Sequence, residues 1–318
     1  MLYSYLAVFG GLLLLVYGAD RFVEGAAGTA RSLGVPPLII GMTVVGLATS
    51  APELLVGAVA AWDHKTNIAI GNAIGSNIAN IGLVLGATVV TKPLLIASRT
   101  LRREYLTMCV SIVIALLLLL DLRLDRLDGA ILLLSLAIII WWMAKVARES
   151  PKADPLANEF AKEMKRLRPV SRSLLLLILG LALLLSGAEL LVWGAINIAH
   201  AHGVSDLVIG LTVVAVGTSL PELAASVVSA LKDEADIAIG NVIGSNMFNM
   251  LMVLGVPALI HPDSFGPEVL TRDFSVMVLL TVMMGWMVFV HGHGKFDRLE
   301  GGALLSCYGA YMAWLYFS

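Results

Sequence analysis

Residues 34–86 and 203–255 are two copies of one segment. They align without a gap at a constant offset of 169 residues, and about half of the positions are identical. Glu53 falls on Glu222 and Asn80 on Asn249; upstream, Gly18, Ala19 and Asp20 fall on Gly187, Ala188 and Glu189. Shared apolar composition alone does not produce such a match, so the chain must fold as two related halves.

The medium for those halves follows from composition. Of 318 residues, 58% are hydrophobic and 14% charged, and the mean hydropathy is +0.89. Soluble domains carry roughly 25% charged residues. Apolar runs long enough to cross a bilayer recur near 2–19, 36–61, 68–91, 104–120, 127–146, 173–195, 204–230, 237–260, 273–291 and 299–317. The expected fold is an all-α membrane protein of ten transmembrane helices. They divide into a first five-helix repeat (1–146), a linker (147–172) and a second five-helix repeat (173–318). Five is odd, so the second copy enters the membrane upside down. Inverted repeats with interrupted helices at equivalent positions point to a secondary transporter whose site lies at the repeat interface.

Lys65, Arg123, Arg126 and Arg272 are the only basic residues on one side of this topology; the rest of the 21 fall on or beside the other. By the positive-inside rule both termini face out and 147–172 is cytoplasmic, in a multi-pass protein of the plasma (cell inner) membrane. The linker contains a plausible short helix, with Asp154 as N-cap and Pro155 at its first position, and reads as a tether. Residues 2–19 read as a retained helix and not a signal peptide. The basic residues form no nucleic-acid face. Cys109 and Cys307 read as packing residues, as do the scattered methionines. The sequence carries no signal for an oligomeric state.

Two carboxylates lie deep in apolar segments: Glu53 and Glu222, each in the string T-S-x-P-E. A charge at that depth is costly and marks function by default. A single such glutamate could be a structural carboxylate bonded to a neighbouring helix; two at repeat-related positions argue otherwise. Pro52 and Pro221 lack an N–H and free the carbonyls of Ala48 and Gly217. Such breaks are tolerated only where they face protein or a wet cavity. Thr49, Ser50, Thr218 and Ser219 add hydroxyls one turn away. The second motif, GNxIGSNxxN, spans 71–80 and 240–249. Its Asn72, Ser76 and Asn80 share one helix face, as do Asn241, Ser245 and Asn249. Gly71, Gly75, Gly240 and Gly244 read as small residues for close helix packing. The set is all oxygen, with two negative charges and no His or Cys. It suits hard cations, above all Ca²⁺, which takes about 6–8 oxygens in flexible geometry. Asp20 and Glu189, placed at helix ends, rank second, and His291 and His293 read as a polar turn. No HExxH, no nucleophile with a His base and no phosphate loop supports an enzyme, and no cofactor is expected.

At these motifs, Ala48–Glu53 with Gly71–Asn80 and Gly217–Glu222 with Gly240–Asn249, the sequence resembles the sodium/calcium exchanger family, prokaryotic type. The resemblance covers essentially the whole chain. It implies four core helices, the second, third, seventh and eighth, around a Ca²⁺ site flanked by Na⁺ sites, with the first and sixth helices sliding across them. Carried over, Glu53 and Glu222 would bridge Ca²⁺ and Na⁺. Thr49, Ser50, Thr218, Ser219, Ser76 and Ser245 would serve Na⁺, and carbonyls near Gly46 and Ala215 would complete the shell. Two departures stand out. Ala48 replaces the usual glycine of the first motif, and both Asn80 and Asn249 are amides where several relatives carry one Asp. The second departure bears on stoichiometry and on K⁺. A H⁺-coupled exchanger of the same architecture is the nearest alternative, and a passive cation channel a more distant one.

Overall fold

The computed structural model describes residues 1–95, 101–149, 170–203, 215–292 and 295–317. It is built of helices: α1 (Leu2–Leu33), α2 (Pro37–Thr49), α3 (Ala51–Trp62), α4 (Thr66–Thr91), α5 (Leu101–Leu119), α6 (Arg126–Glu149), α7 (Val170–Ala201), α8 (Ala215–Thr218), α9 (Leu220–Leu231), α10 (Ala235–Ile260), α11 (Val269–His291) and α12 (Arg298–Phe317). Six of these are individually long and apolar enough to cross a membrane, and α2 with α3, bent by 42° at Ser50, makes a seventh if read as one span. Residues 204–214, within the expected seventh helix, and 150–169, most of the expected linker, lie outside the described residues, as does His293.

Among the described residues, two two-residue antiparallel strand pairs accompany the helices. They join β1 (Leu94–Leu95) to β4 (Lys295–Phe296) and β2 (Arg123–Leu124) to β3 (Asp263–Ser264). Each pair stitches one half to the other. The described residues are otherwise helical or in turns, in keeping with the expected helical class.

The first and sixth expected helices are longer than hydropathy indicated. Both α1 and α7 have 32 residues, about 48 Å at 1.5 Å per residue, against a hydrocarbon core of about 30 Å. Asp20, Arg21, Glu24 and Arg31 ended the apolar run in sequence, yet the helix continues through them because each has a partner. Asp20 is therefore not at a helix end: it lies within α1 and pairs with Lys232 at 2.8 Å. Likewise Glu189 lies within α7. His291, expected in a polar turn, is the last residue of α11. Its Nδ1 lies 2.8 Å from Glu300 Oε1, and its ring stacks on Trp286.

α1 and α7 pack antiparallel along a glycine stripe. Gly11, Gly18 and Gly25 of α1 face Gly187–Leu191, Leu183–Leu184 and Ser173–Leu177 of α7. Their counterparts Gly180, Gly187 and Gly194 face Arg21–Phe22, Leu14–Leu15 and Ser4–Val8 of α1. A Cβ on Gly11 would lie 2.6 Å from the backbone nitrogen of Leu191, so these positions admit no side chain. Phe22, Ala19, Ala26 and Leu184 fill the seam.

The buried centre is made by α4 and α10, whose apolar windows are 78% buried. Between them, Asn77 Nδ2 donates to the carbonyl of Asn246 at 3.2 Å. The two amides also contact repeat-related sulfurs: Asn77 meets Met277, and Asn246 meets Met108. Such reciprocity marks the axis relating the halves. α10 also crosses α2, where Gly240 and Gly244 meet the backbone at Leu38, Gly41 and Met42, as close packing of small residues requires.

Candidate cation site

The T-S-x-P-E strings lie at breaks between helices. Ser50 (φ −80°, ψ 5°) separates α2 from α3, and Ser219 (φ −87°, ψ 3°) separates α8 from α9. The proline follows each break by two residues, at a position where its missing N–H costs nothing. Glu53 and Glu222 thus fall in the first turn of α3 and α9, where unpaired N–H groups favour negative charge. Both carboxylates are 1% exposed.

The two breaks meet. Ser50 Oγ donates to Glu222 Oε1 at 3.4 Å, joining the first string to the second. Thr49 Oγ1 donates to Asn241 Oδ1 at 3.0 Å and lies 3.3 Å from Ser245 Oγ. The Gly46 carbonyl accepts from Ser245 Oγ and Thr49 Oγ1, each at 3.4 Å. Thr49, Ser50, Gly46, Ser245 and Glu222 therefore form one cluster. Ser76 and Asn80 on α4, Asn249 on α10 and Ser219 at the break before α9 are also buried. Thr218 is part-buried, and Ala215 opens α8.

Two features escaped the sequence reading. Asn72 Nδ2 donates to the Glu53 carbonyl at 3.1 Å, and Asn241 Nδ2 to the Glu222 carbonyl at 3.2 Å. These repeat-related bonds fix each glutamate turn to the helix beside it. The signal was present, since both amides sit in the duplicated motif. The second feature is local winding: Asn80–Leu85 and Asn249–Val253 are π-helical turns. Such turns widen a helix, loosen its backbone bonding and occur often at functional sites.

Several buried atoms have no protein partner among the described residues: Glu53 Oε2, Glu222 Oε2, Ser219 Oγ and both side-chain polar atoms of Asn249. A buried carboxylate oxygen without a hydrogen bond is strongly disfavoured. A cation among these oxygens relieves that cost, and a hard ion suits a donor set of carboxylates, hydroxyls, amides and carbonyls.

The model of the family described as sodium/calcium exchanger protein matches residues 3–145 and 172–317, nearly the whole chain. The chain belongs to the sodium/calcium exchanger family. Among the relatives of this exchanger-family chain, the putative antiporter CaxA of Alkalimonas amylolytica is 44% identical over 100% of both chains. The sodium/calcium exchanger MaX1 of Methanosarcina acetivorans is 30% identical over 99% of both. A solved structure of the sodium/calcium exchanger from Methanococcus jannaschii superposes with a TM-score of 0.84 at 35% identity, covering 98% of each chain. The exchanger is thus a multi-pass membrane protein and a cation/Ca²⁺ antiporter, of a family of transporters and not of enzymes.

Proposed function

We propose that the chain exchanges Na⁺ for Ca²⁺ by alternating access, using inward Na⁺ flow to expel Ca²⁺. The observation that carries this reading is the meeting of the two T-S-x-P-E breaks, where Ser50 reaches Glu222 and each glutamate keeps an unpartnered buried oxygen. Glu53 and Glu222 bridge Ca²⁺ and Na⁺. Thr49, Ser50, Thr218, Ser219, Ser76 and Ser245, with Asn80, Asn249 and the carbonyls of Gly46 and Ala215, complete the ligand set. The decisive experiment is ⁴⁵Ca²⁺ uptake into Na⁺-loaded proteoliposomes, with K⁺-loaded and pH-jump controls. Uptake that requires internal Na⁺ supports the reading. Strong uptake into Na⁺-free vesicles with an acid interior overturns the Na⁺ assignment in favour of H⁺ coupling, and uptake without any counter-ion makes the protein a channel.

In this reading the chain crosses the membrane ten times, as inverted halves at 1–146 and 173–318 joined by 147–172. The seven spans recognised by length and composition are completed by α5, α12 and the segment ending in α9. Both termini lie outside the plasma membrane and the linker lies in the cytoplasm. Single cysteines at 147–172 are expected to react with an impermeant thiol reagent only from the cytoplasmic side, and those at 196–203 only from outside. Reaction of both loops from one side removes the inverted topology.

Protons and cations compete for the same carboxylate oxygens, because a bound cation favours the ionised form. Acidification is therefore expected to raise the Ca²⁺ concentration needed for half-maximal exchange, with full rate recovered at saturating Ca²⁺. A loss of rate that high Ca²⁺ leaves uncorrected places the proton's effect elsewhere.

A further inference from the structure

The two halves are related by sequence, but their charges at the membrane faces are not. On one face α1 is tied to the turn between α9 and α10. Lys232 Nζ lies 2.8 Å from Asp20 Oδ1 and donates to the Asp20 carbonyl at 3.0 Å. Arg31 forms a second ion pair with Glu234. These four side chains are partly exposed and pair across 203 or more residues of sequence. Behind them α1 packs along α9, whereas α7 has no comparable packing on α3 among the described residues. Among the described residues the structure is thus asymmetric: α1 is docked on α9 and α7 is not docked in the same way on α3.

In an inverted-repeat transporter the opposite state exchanges the conformations of the halves. That exchange would dock α7 on α3 and set each counterpart residue where its equivalent now stands. Asp20 and Lys232 map to Glu189 and Asp63; Arg31 and Glu234 map to His200 and Lys65. The first pairing is acid on acid and the second is base on base. A third site follows the same rule. Lys92 binds Asp233 at 2.7 Å, while the equivalent residues His261 and His64 meet edge to face, ring centroids 4.4 Å apart. At all three sites an attractive pair on one face corresponds to a pair without opposite charges on the other.

We infer that Asp20, Arg31, Lys232 and Glu234 form an ion-pair latch that sets the side from which the site is reached at rest. They are positioning residues: they hold α1 on α9 and do not belong to the proposed ligand set. The latched state is favoured because the counterparts, which carry no opposite charges, give no equivalent ion-pair hold in the exchanged state. The inference rests on the alternating-access part of the proposed function and is independent of which ion drives it.

The test places spin labels at Leu13 on α1 and Leu231 on α9, both exposed, in a C109A/C307A background, and reads their distance distribution in liposomes by pulsed EPR. The parent protein is expected to show one dominant population. K232M/E234Q, which leaves α1 untouched, is expected to raise a second population. Partly exposed ion pairs each shift an equilibrium by roughly 1.5- to 5-fold, so the pair together gives about 2- to 20-fold. E189K, which opposes Asp63 with a base, should raise the same second population, and the swap D20K/K232D should restore the parent distribution. An unchanged distribution in K232M/E234Q overturns the latch. A failure of Na⁺-driven ⁴⁵Ca²⁺ uptake in the parent would instead overturn the coupling ion, and the distances would still report on the latch.

Discussion

Glu53→Gln and Glu222→Gln are each expected to abolish Ca²⁺ exchange while the protein inserts and purifies normally. The substitution preserves shape and removes one of two negative charges from a site where each glutamate is 1% exposed. Little water is present to make good the loss, and an amide offers a divalent ion one neutral oxygen. Breaking a buried charge pairing costs about 3 kcal/mol or more, roughly a hundredfold or more in affinity. Isothermal titration with Ca²⁺ and flux in proteoliposomes both report it. The two positions should behave alike, since both start a helix, both follow a Thr-Ser break, and both have their carbonyl held by an asparagine. Wild-type exchange in either purified variant would remove that glutamate from the site.

Gly244→Val is expected to have the next largest effect, through the backbone. A Cβ at Gly244 would meet the carbonyl oxygen of Met42 and lie 2.6 Å from its Cα. Those atoms belong to α2 and cannot rotate aside, so α2 must move away from α10. Overpacking of this kind costs about 1–3 kcal/mol. The displacement also parts Thr49 from Ser245 and Asn241, now 3.3 and 3.0 Å apart. Exchange is expected to fall by about 5- to 150-fold by this estimate, with a lowered Tm. Gly309→Val, where a Cβ meets nothing within 4 Å, should leave both unchanged. Equal losses in the two variants would show that valine in a membrane helix, and not the α2–α10 contact, is responsible.

The core of the fold was legible because evolution wrote it twice. A buried glutamate seen once has several explanations; seen again at the same offset, beside the same proline and hydroxyls, it has few. The amide-rich helices were recognised for the same reason. What lay outside that reading depends on tertiary partners. The charged stretch from Asp20 to Arg31 looked like the end of a helix because two of its ion-pair partners, Lys232 and Glu234, lie about 200 residues away. The π-turns at Asn80 and Asn249 have no residue signature, being a choice of hydrogen-bond register. The strand pairs are two residues long, below any periodicity. Asn77 and Asn246 were visible as amides, but nothing local revealed that they meet each other.

The seam between α1 and α7 bears on how the chain is made. The face of α1 that carries Gly11, Gly18 and Gly25 is shaped for one partner, and that partner begins at Val170. α1 therefore waits in lipid, its grooved side unfilled, until the chain has been synthesised past Val170. Elsewhere α2 packs on α10, α3 on the end of α10, and α6 on α10. Neither half can reach its native packing alone. Assembly is expected to be one late, cooperative event, and a chain halted after residue 149 should be a substrate for quality-control proteolysis and not a stable intermediate.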